Sequence, residues 1–290
     1  MKPPSFEYAD PKSLDDAVRL LEEHEFEAKI LSGGQSLMPL LNMRLARPQL
    51  LIDLAKIPEL DHVREDSGTL VVGGMARQRA LELSPVVRER FPLVYDATML
   101  IAHPQNRNQG TVGGSIAHAD PAAELPALVM ATDAEMIAVG PDGARTISAE
   151  DFFVTYLTTS MEASEILTEV RIPALAPNTG YSLQELARRH GDFALAGVIA
   201  TVTLAGDGTI ESGRVVLFGV GATPICATDA ERMLAGEQPS EALFEAVAAK
   251  ASADLDEPLS DVHASAEYRR ALAGVMAKRA LAEATARAAH

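Results

Sequence analysis

Apolar residues recur at helical spacing from Ser13 to His24, with Leu14, Ala17, Val18 and Leu21 on one face and charged residues between them. The spacing predicts a helix over 13–24, with Ser13 as its cap and Asp16 completing a capping box. Residues 28–32 read as a short strand that ends on a Gly33-Gly34 turn. Residues 36–45 read as a helix start or an irregular segment, because Pro39 is tolerated only near a first turn. Residues 50–54 read as a second strand, which gives a βαβ-like opening. Residues 69–74 form a strand ending on paired glycines, followed by helices over 77–83 and 91–101. A loop rich in Asn, Gln, Gly and Pro runs from His103 to Pro121, and 124–132 is continuously apolar. Strands follow at 135–139 and 165–172, with a turn at Pro141–Gly143.

Pro173, Pro177, Asn178 and Gly180 then cluster, and a domain boundary is expected near 174–180. Beyond it, 195–205 and 213–220 read as a hairpin turning at Asp207-Gly208. Helices are expected over 226–235, 240–253 and 264–289. This mixture of short strands and helices predicts an α+β fold rather than a regular doubly wound sheet.

Composition narrows the function. At 290 residues the chain suggests two domains. Aromatic residues make up 4% and Trp is absent, so the cores must be aliphatic. The net charge of −16 argues against nucleic acid and against anionic membranes. Cys226 is the single cysteine. It allows no internal disulfide, no thiolate zinc site and no iron–sulfur cluster held by this chain alone. Any redox chemistry here therefore needs an organic cofactor. Met1 to Asp16 contains no apolar stretch of signal-peptide type, and the longest apolar-leaning run, Ala194–Ala205, is too short to span a bilayer. A cytoplasmic protein is expected.

Two loops could carry chemistry. Ser32-Gly33-Gly34-Gln35-Ser36, followed by Leu37, lies between a strand and a helical segment. Its successive amides could form an anion-binding nest, or it could be a tight turn with a helix cap. Gly110-Thr111-Val112-Gly113-Gly114-Ser115 again sets paired glycines beside hydroxyls. Together the two suggest opposite sides of a pyrophosphate clamp, which needs no cationic side chain. Neither loop has the dinucleotide G-x-G-x-x-G or the Walker spacing. In His118-Ala-Asp-Pro-Ala-Ala-Glu124, His118, Asp120 and Glu124 are conceivable metal ligands. Asp120 is more simply a turn residue, and Glu124 an acceptor for a ribose hydroxyl. Arg188-Arg189-His190 reads as a solvated face or a strand-end contact.

The stretch from Ala102 to Pro126, AHPQNRNQGTVGGSIAHADPAAELP, closely resembles the FAD-binding medium subunit of the molybdenum hydroxylases, the family of xanthine dehydrogenase and aerobic carbon monoxide dehydrogenase. The resemblance begins at Phe6-Glu-Tyr and Pro11–Val18. It continues through Ile166–Pro173 and Arg188–Ala194 and ends at Glu267–Arg270.

The resemblance implies a vanillyl-alcohol oxidase-like FAD-binding domain over 1–175, with subdomains of about 1–57 and 58–175. A smaller domain of antiparallel sheet and helices would occupy 176–290. It implies noncovalent FAD with its pyrophosphate between Ser32–Leu37 and Thr111, Gly113, Gly114 and Ser115. Glu124 would contact the cofactor, Leu167 would lie against it, and Ile101 would lie near the flavin. Many relatives have Asn where Ser115 stands. Some place a Lys near 184–185, where this chain has Gln184 and Glu185.

The implied function is electron transfer inside a heterotrimer, assembled as a dimer of heterotrimers. A large partner would hold the molybdenum cofactor and select the substrate. A small partner would hold two [2Fe–2S] clusters, and FAD would pass electrons to quinone, NAD or oxygen. The complex could sit peripherally at the inner face of the membrane. The alternative is a stand-alone FAD oxidoreductase of the vanillyl-alcohol oxidase type.

Overall fold

The computed structural model describes residues 2–289, so Met1 and His290, which end the expected domain spans, lie outside the described residues. The first unit runs β1 (Glu7–Ala9), α1 (Leu14–His24), β2 (Ala28–Leu31), α2 (Leu37–Asn42) and β3 (Leu50–Asp53). Its three strands are parallel in the order β1-β3-β2, with Leu50 opposite both Glu7 and Ala28. The amide of Asp16 donates to Ser13 Oγ at 3.2 Å, as the capping pattern requires. Ala17, Val18 and Leu21 turn the apolar face of α1 into a small core with Leu50 and Ile52. β1 was not expected, because a three-residue strand leaves almost no period-2 signal.

The second unit begins with β4 (Val63–Asp66), β5 (Thr69–Gly73), α3 (Gln78–Leu83), α4 (Pro85–Arg90) and α5 (Pro92–Leu100). It continues through α6 (Pro104–Gln109), α7 (Val112–His118), α8 (Glu124–Ala131), β6 (Glu135–Gly140), β7 (Gly143–Ser148) and α9 (Ala149–Phe152). It closes with β8 (Phe153–Thr155), β9 (Thr158–Thr159) and β10 (Ile166–Pro173). Its main sheet is antiparallel, in the order β4-β5-β10-β6-β7.

The loop expected from His103 to Pro121 is instead two short helices. Pro104 opens α6, where its missing N–H costs nothing. Thr111 caps α7 by accepting the Gly114 amide at 3.1 Å. The apolar run at 124–132 is α8, and every residue of that helix is buried.

The third unit has β11 (Thr179–Ala187), β12 (Ala194–Leu204), β13 (Ile210–Phe218) and β14 (Ile225–Cys226), antiparallel in that order. It then has α10 (Thr228–Glu231), α11 (Glu241–Ala253) and α12 (Ala266–Ala288). The helix expected over 226–235 is shorter, because Ile225 and Cys226 pair with Leu217 and Val216 as a strand.

The continuous apolar run of β12 has a clear cause. Val198, Ala200 and Val202 face the core under α11 and α12, while Ala194 and Ile199 face the core shared with α8. The sheet is buried on both faces, so no polar alternation survives. Among the described residues, no helix is long and apolar enough to cross a membrane.

Candidate functional site

The two glycine loops meet. Ser32 Oγ and Thr111 Oγ1 lie 2.6 Å apart, although 79 positions separate them in sequence. A Cβ on Gly33 would stand 2.5 Å from the Gln109 carbonyl oxygen and 2.8 Å from the Thr111 nitrogen, so backbone touches backbone here. Asn106 Nδ2 donates to Gln35 Oε1 at 3.4 Å, and Arg77 reaches the Gln109 carbonyl.

The loops differ in how they use their amides. Between Gly33 and Leu37 no backbone N–H finds an acceptor among the described residues; the next amide, Met38, bonds to Gly34 O at 3.0 Å. Gly34 has φ +72°, a left-handed turn that aims successive amides to one side. The Ser36 hydroxyl makes no capping bond.

In the other loop every amide from Val112 to Ser115 is engaged. Val112 donates to Ala76 O at 2.9 Å and Gly113 to Gly74 O at 3.0 Å. Gly114 bonds to Thr111 Oγ1, and Ser115 donates to Thr111 O at 3.2 Å. One loop is a nest of unsatisfied donors; the other is the platform behind it.

The platform is anchored in the main sheet. A Cβ on Gly113 would meet the Gly74 oxygen at 2.6 Å, and the Gly74 amide donates to Thr168 O at 2.7 Å. Leu167 sits beside that junction on β10, buried at 6% exposure. The Gly73-Gly74 pair was visible in sequence as a strand end, and its structural meaning is this close approach of α7.

Ile101 ends α5, also buried. Its carbonyl accepts from Arg107 Nη1 at 2.8 Å, and Arg107 Nε donates to Glu82 Oε2 at 2.8 Å. Arg107 holds the Glu82 carboxyl below the usual carboxylate range. Nothing in the sequence pattern marked this buried ion pair, since Arg107 lies in a polar run.

Glu124 opens α8 and is 5% exposed. Burial pushes its carboxyl up to about 7, and the charge of Asp120 adds to the shift. Burial likewise lowers the pKa of the His118 imidazole. Gln184 does not turn toward these residues; its Nε2 donates to Ser182 Oγ and to Glu283 Oε2 on α12. Glu185, its neighbour, faces the other side of the strand. Cys226 is a weakly acidic thiol, pushed up to about 11 by burial.

The arrangement can bind an oxyanion on the 33–37 amides, with Ser36 adding a hydroxyl. It brings together the Ser32–Leu37 and Thr111–Ser115 candidates. Ile101, Leu167 and Glu124 lie in the elements around the platform and share no direct bond with the nest.

Comparison with known proteins identifies the family and the fold. Residues 4–175 match the FAD binding domain in molybdopterin dehydrogenase, and residues 181–284 match the CO dehydrogenase flavoprotein C-terminal domain. The carbon monoxide dehydrogenase medium chain of Hydrogenophaga pseudoflava is 41% identical over 289 residues, covering 100% of both chains. The 6-hydroxypseudooxynicotine dehydrogenase complex subunit alpha of Paenarthrobacter nicotinovorans is 40% identical, over 99% of this chain and 97% of its own. Among solved structures, carbon monoxide dehydrogenase from H. pseudoflava, lacking the Mo-pyranopterin moiety of its cofactor, superposes with a TM-score of 0.96. It has 42% identity and 99% coverage of each chain.

Proposed function

The chain belongs to the FAD-binding medium-subunit family of the molybdenum hydroxylases, and from that premise we propose that it seats the FAD pyrophosphate on the Gly33–Leu37 amides, against the Thr111–Ser115 platform. The observation that carries this reading is the unbroken row of amides without protein acceptors, held in place by the Ser32–Thr111 hydrogen bond. A diphosphate supplies the acceptors that such a nest lacks. Ser36 adds a hydroxyl from the start of α2. Gln35, tethered to Asn106, orients the nest relative to α6. Glu124 offers a carboxyl to the ribose side, and Ile101 and Leu167 offer apolar contact.

Held noncovalently there, FAD would supply the redox chemistry of the subunit, an electron relay between [2Fe–2S] clusters of a small partner and quinone, NAD or oxygen. The protein is a flavoprotein subunit of a molybdenum-containing oxidoreductase. Hydroxylation belongs to a large partner with the molybdenum cofactor, in a cytoplasmic dimer of heterotrimers. Within this chain we place the FAD-binding domain at 1–175 and the C-terminal domain at 176–290.

The test is the visible spectrum and acid-released flavin of the purified protein, with FAD added back, followed by the same assay on the co-expressed complex. One noncovalent FAD per chain is expected. Failure to bind FAD in the co-expressed complex overturns the reading.

A further inference from the structure

The segments that meet at the nest have an unusual charge pattern. Residues 28–52, 67–81 and 97–119 contain no Asp or Glu, in a chain that has 41 of them. The same three segments carry Lys29, Arg44, Arg47, Arg77, Arg79 and Arg107. Acids are missing where the glycine loops converge, and cations are kept. An anion held at this place explains both.

Most of these cations are committed elsewhere or stand away from the junction. Arg79 and Arg107 both pair with Glu82, Arg107 at 2.8 Å. Lys29 is exposed on β2. Arg44 and Arg47 lie beyond α2 and donate to the carbonyls of Lys2 at 3.5 Å and Arg44 at 3.0 Å. Arg77 is different. It lies between Gly74 and α3, and its backbone pairs with that of Thr111. Its guanidinium donates from Nη1 to the Gln109 carbonyl, the same oxygen that a Cβ on Gly33 would meet at 2.5 Å. The cation thus stands one carbonyl away from the backbone of the first nest residue. Among the described residues no carboxylate pairs with it, because Glu82, the acid of α3, is taken by Arg79 and Arg107. A guanidinium has five N–H donors, and the Gln109 bond uses one.

We propose that Arg77 supplies the positive charge at this site, forming an ion pair with the diphosphate of FAD beside amides that supply only dipoles. This pairing rests on the seating of the diphosphate at Gly33–Leu37. Amides bind an oxyanion without a cation, so Arg77 does not define the pocket. It adds net charge and a planar donor fork that fits phosphate oxygens. In a chain of net charge −16 the overall field repels a dianion, and a local cation offsets that repulsion. The bond to Gln109 tethers the side chain where the two loops join.

The test is isothermal titration of the flavin-stripped, co-expressed complex with FAD. Salt is varied from about 0.01 M to about 1 M, over which the screening length falls from about 30 Å to about 3 Å. Wild-type affinity should fall with salt. Arg77→Gln should bind FAD roughly tenfold or more weakly at low salt, and its affinity should depend less on salt. Arg77→Lys keeps the charge and loses the fork, so it should restore most of the salt dependence at intermediate affinity. If Arg77 only braces the Gln109 carbonyl, Arg77→Gln lowers the Tm of the flavin-free complex and leaves the salt dependence as it was, which overturns the proposal. Should Arg77→Gln not assemble, Arg77→Met keeps the apolar stem and is read the same way. A wild-type complex that binds FAD, with variants that match it in affinity and salt dependence, refutes the ion pair and spares the nest. A wild-type complex that binds no FAD removes both.

Discussion

The loop at 32–37 and the loop at 111–115 read alike in sequence, each a glycine pair between hydroxyls, and they do opposite things with their backbone. The first leaves its amides without acceptors from Gly33 to Leu37; the second satisfies every amide from Val112 to Ser115 internally. The difference lies in what each glycine pair is for. Gly34 supplies a left-handed turn at φ +72° that splays amides outward. Gly113 supplies room for α7 to press its backbone against Gly74, where a Cβ would meet the oxygen at 2.6 Å. A glycine pair therefore does not identify a binding loop until its amides have been accounted for. Here the amides without acceptors and the rigid backbone behind them sit on separate segments, joined through Ser32 and Thr111, 79 positions apart.

If that division is right, the largest effect comes from prising the platform off the sheet. Gly113→Val forces a branched side chain into backbone at Gly74, an overpacking that costs about 1–3 kcal/mol or more. It should lower Tm and abolish FAD binding together, measured by thermal unfolding and flavin retention. A variant that binds FAD normally would show that the platform does not aim the nest.

A sharper and somewhat smaller cut separates charge from bulk. Gly114→Ala and Gly114→Asp both place a Cβ 2.6 Å from Thr111 Oγ1, so both strain the cap equally. Only Asp adds a carboxylate near the bound pyrophosphate. Like charges about 4 Å apart repel by about 4 kcal/mol at an effective dielectric of 20, roughly a thousandfold in affinity. Titration with FAD should show Asp far weaker than Ala at similar Tm. Equal affinities would move the pyrophosphate away from this loop.

How far the sequence anticipates this site depends on what kind of information each part carries. The Ser13 cap, the apolar face of α1 and the strands leading into Gly33-Gly34 and Gly73-Gly74 follow from local spacing, and the structure agrees. The α+β class follows from the mixture of elements. The segment 103–121 does not read as helical because its Asn and Gly residues have weak intrinsic propensity. Pro104 and the Thr111 cap, together with packing against α3 and the sheet, make it two helices. β11 escaped notice because its polar positions Ser182, Gln184 and Glu185 are covered or partly covered only once the strand is packed against α12 and α5. Such pairings are tertiary facts with no local period. Glu185 is the plainest case. It looks like a surface residue beside Arg188 and Arg189, and only the closing of two distant elements shows that it has no cation.

The smallest expected effect tests the comparison most directly, because it compares one hydroxyl from each loop. Ser36 has no capping bond, so its hydroxyl is available to a ligand. Ser115 contributes a backbone amide already bonded to Thr111 O at 3.2 Å. Ser36→Ala removes one hydrogen bond to a charged group, about 1.5–3 kcal/mol, which is a tenfold or greater loss of FAD affinity with Tm nearly unchanged. Ser115→Asn keeps a polar side chain and every backbone bond, so it should shift stability by no more than about 0.5 kcal/mol and leave FAD affinity within about twofold. Isothermal titration of the two variants decides the matter. The reverse order, with Ser115 sensitive and Ser36 silent, would make the second loop the phosphate binder and reduce the first to a turn.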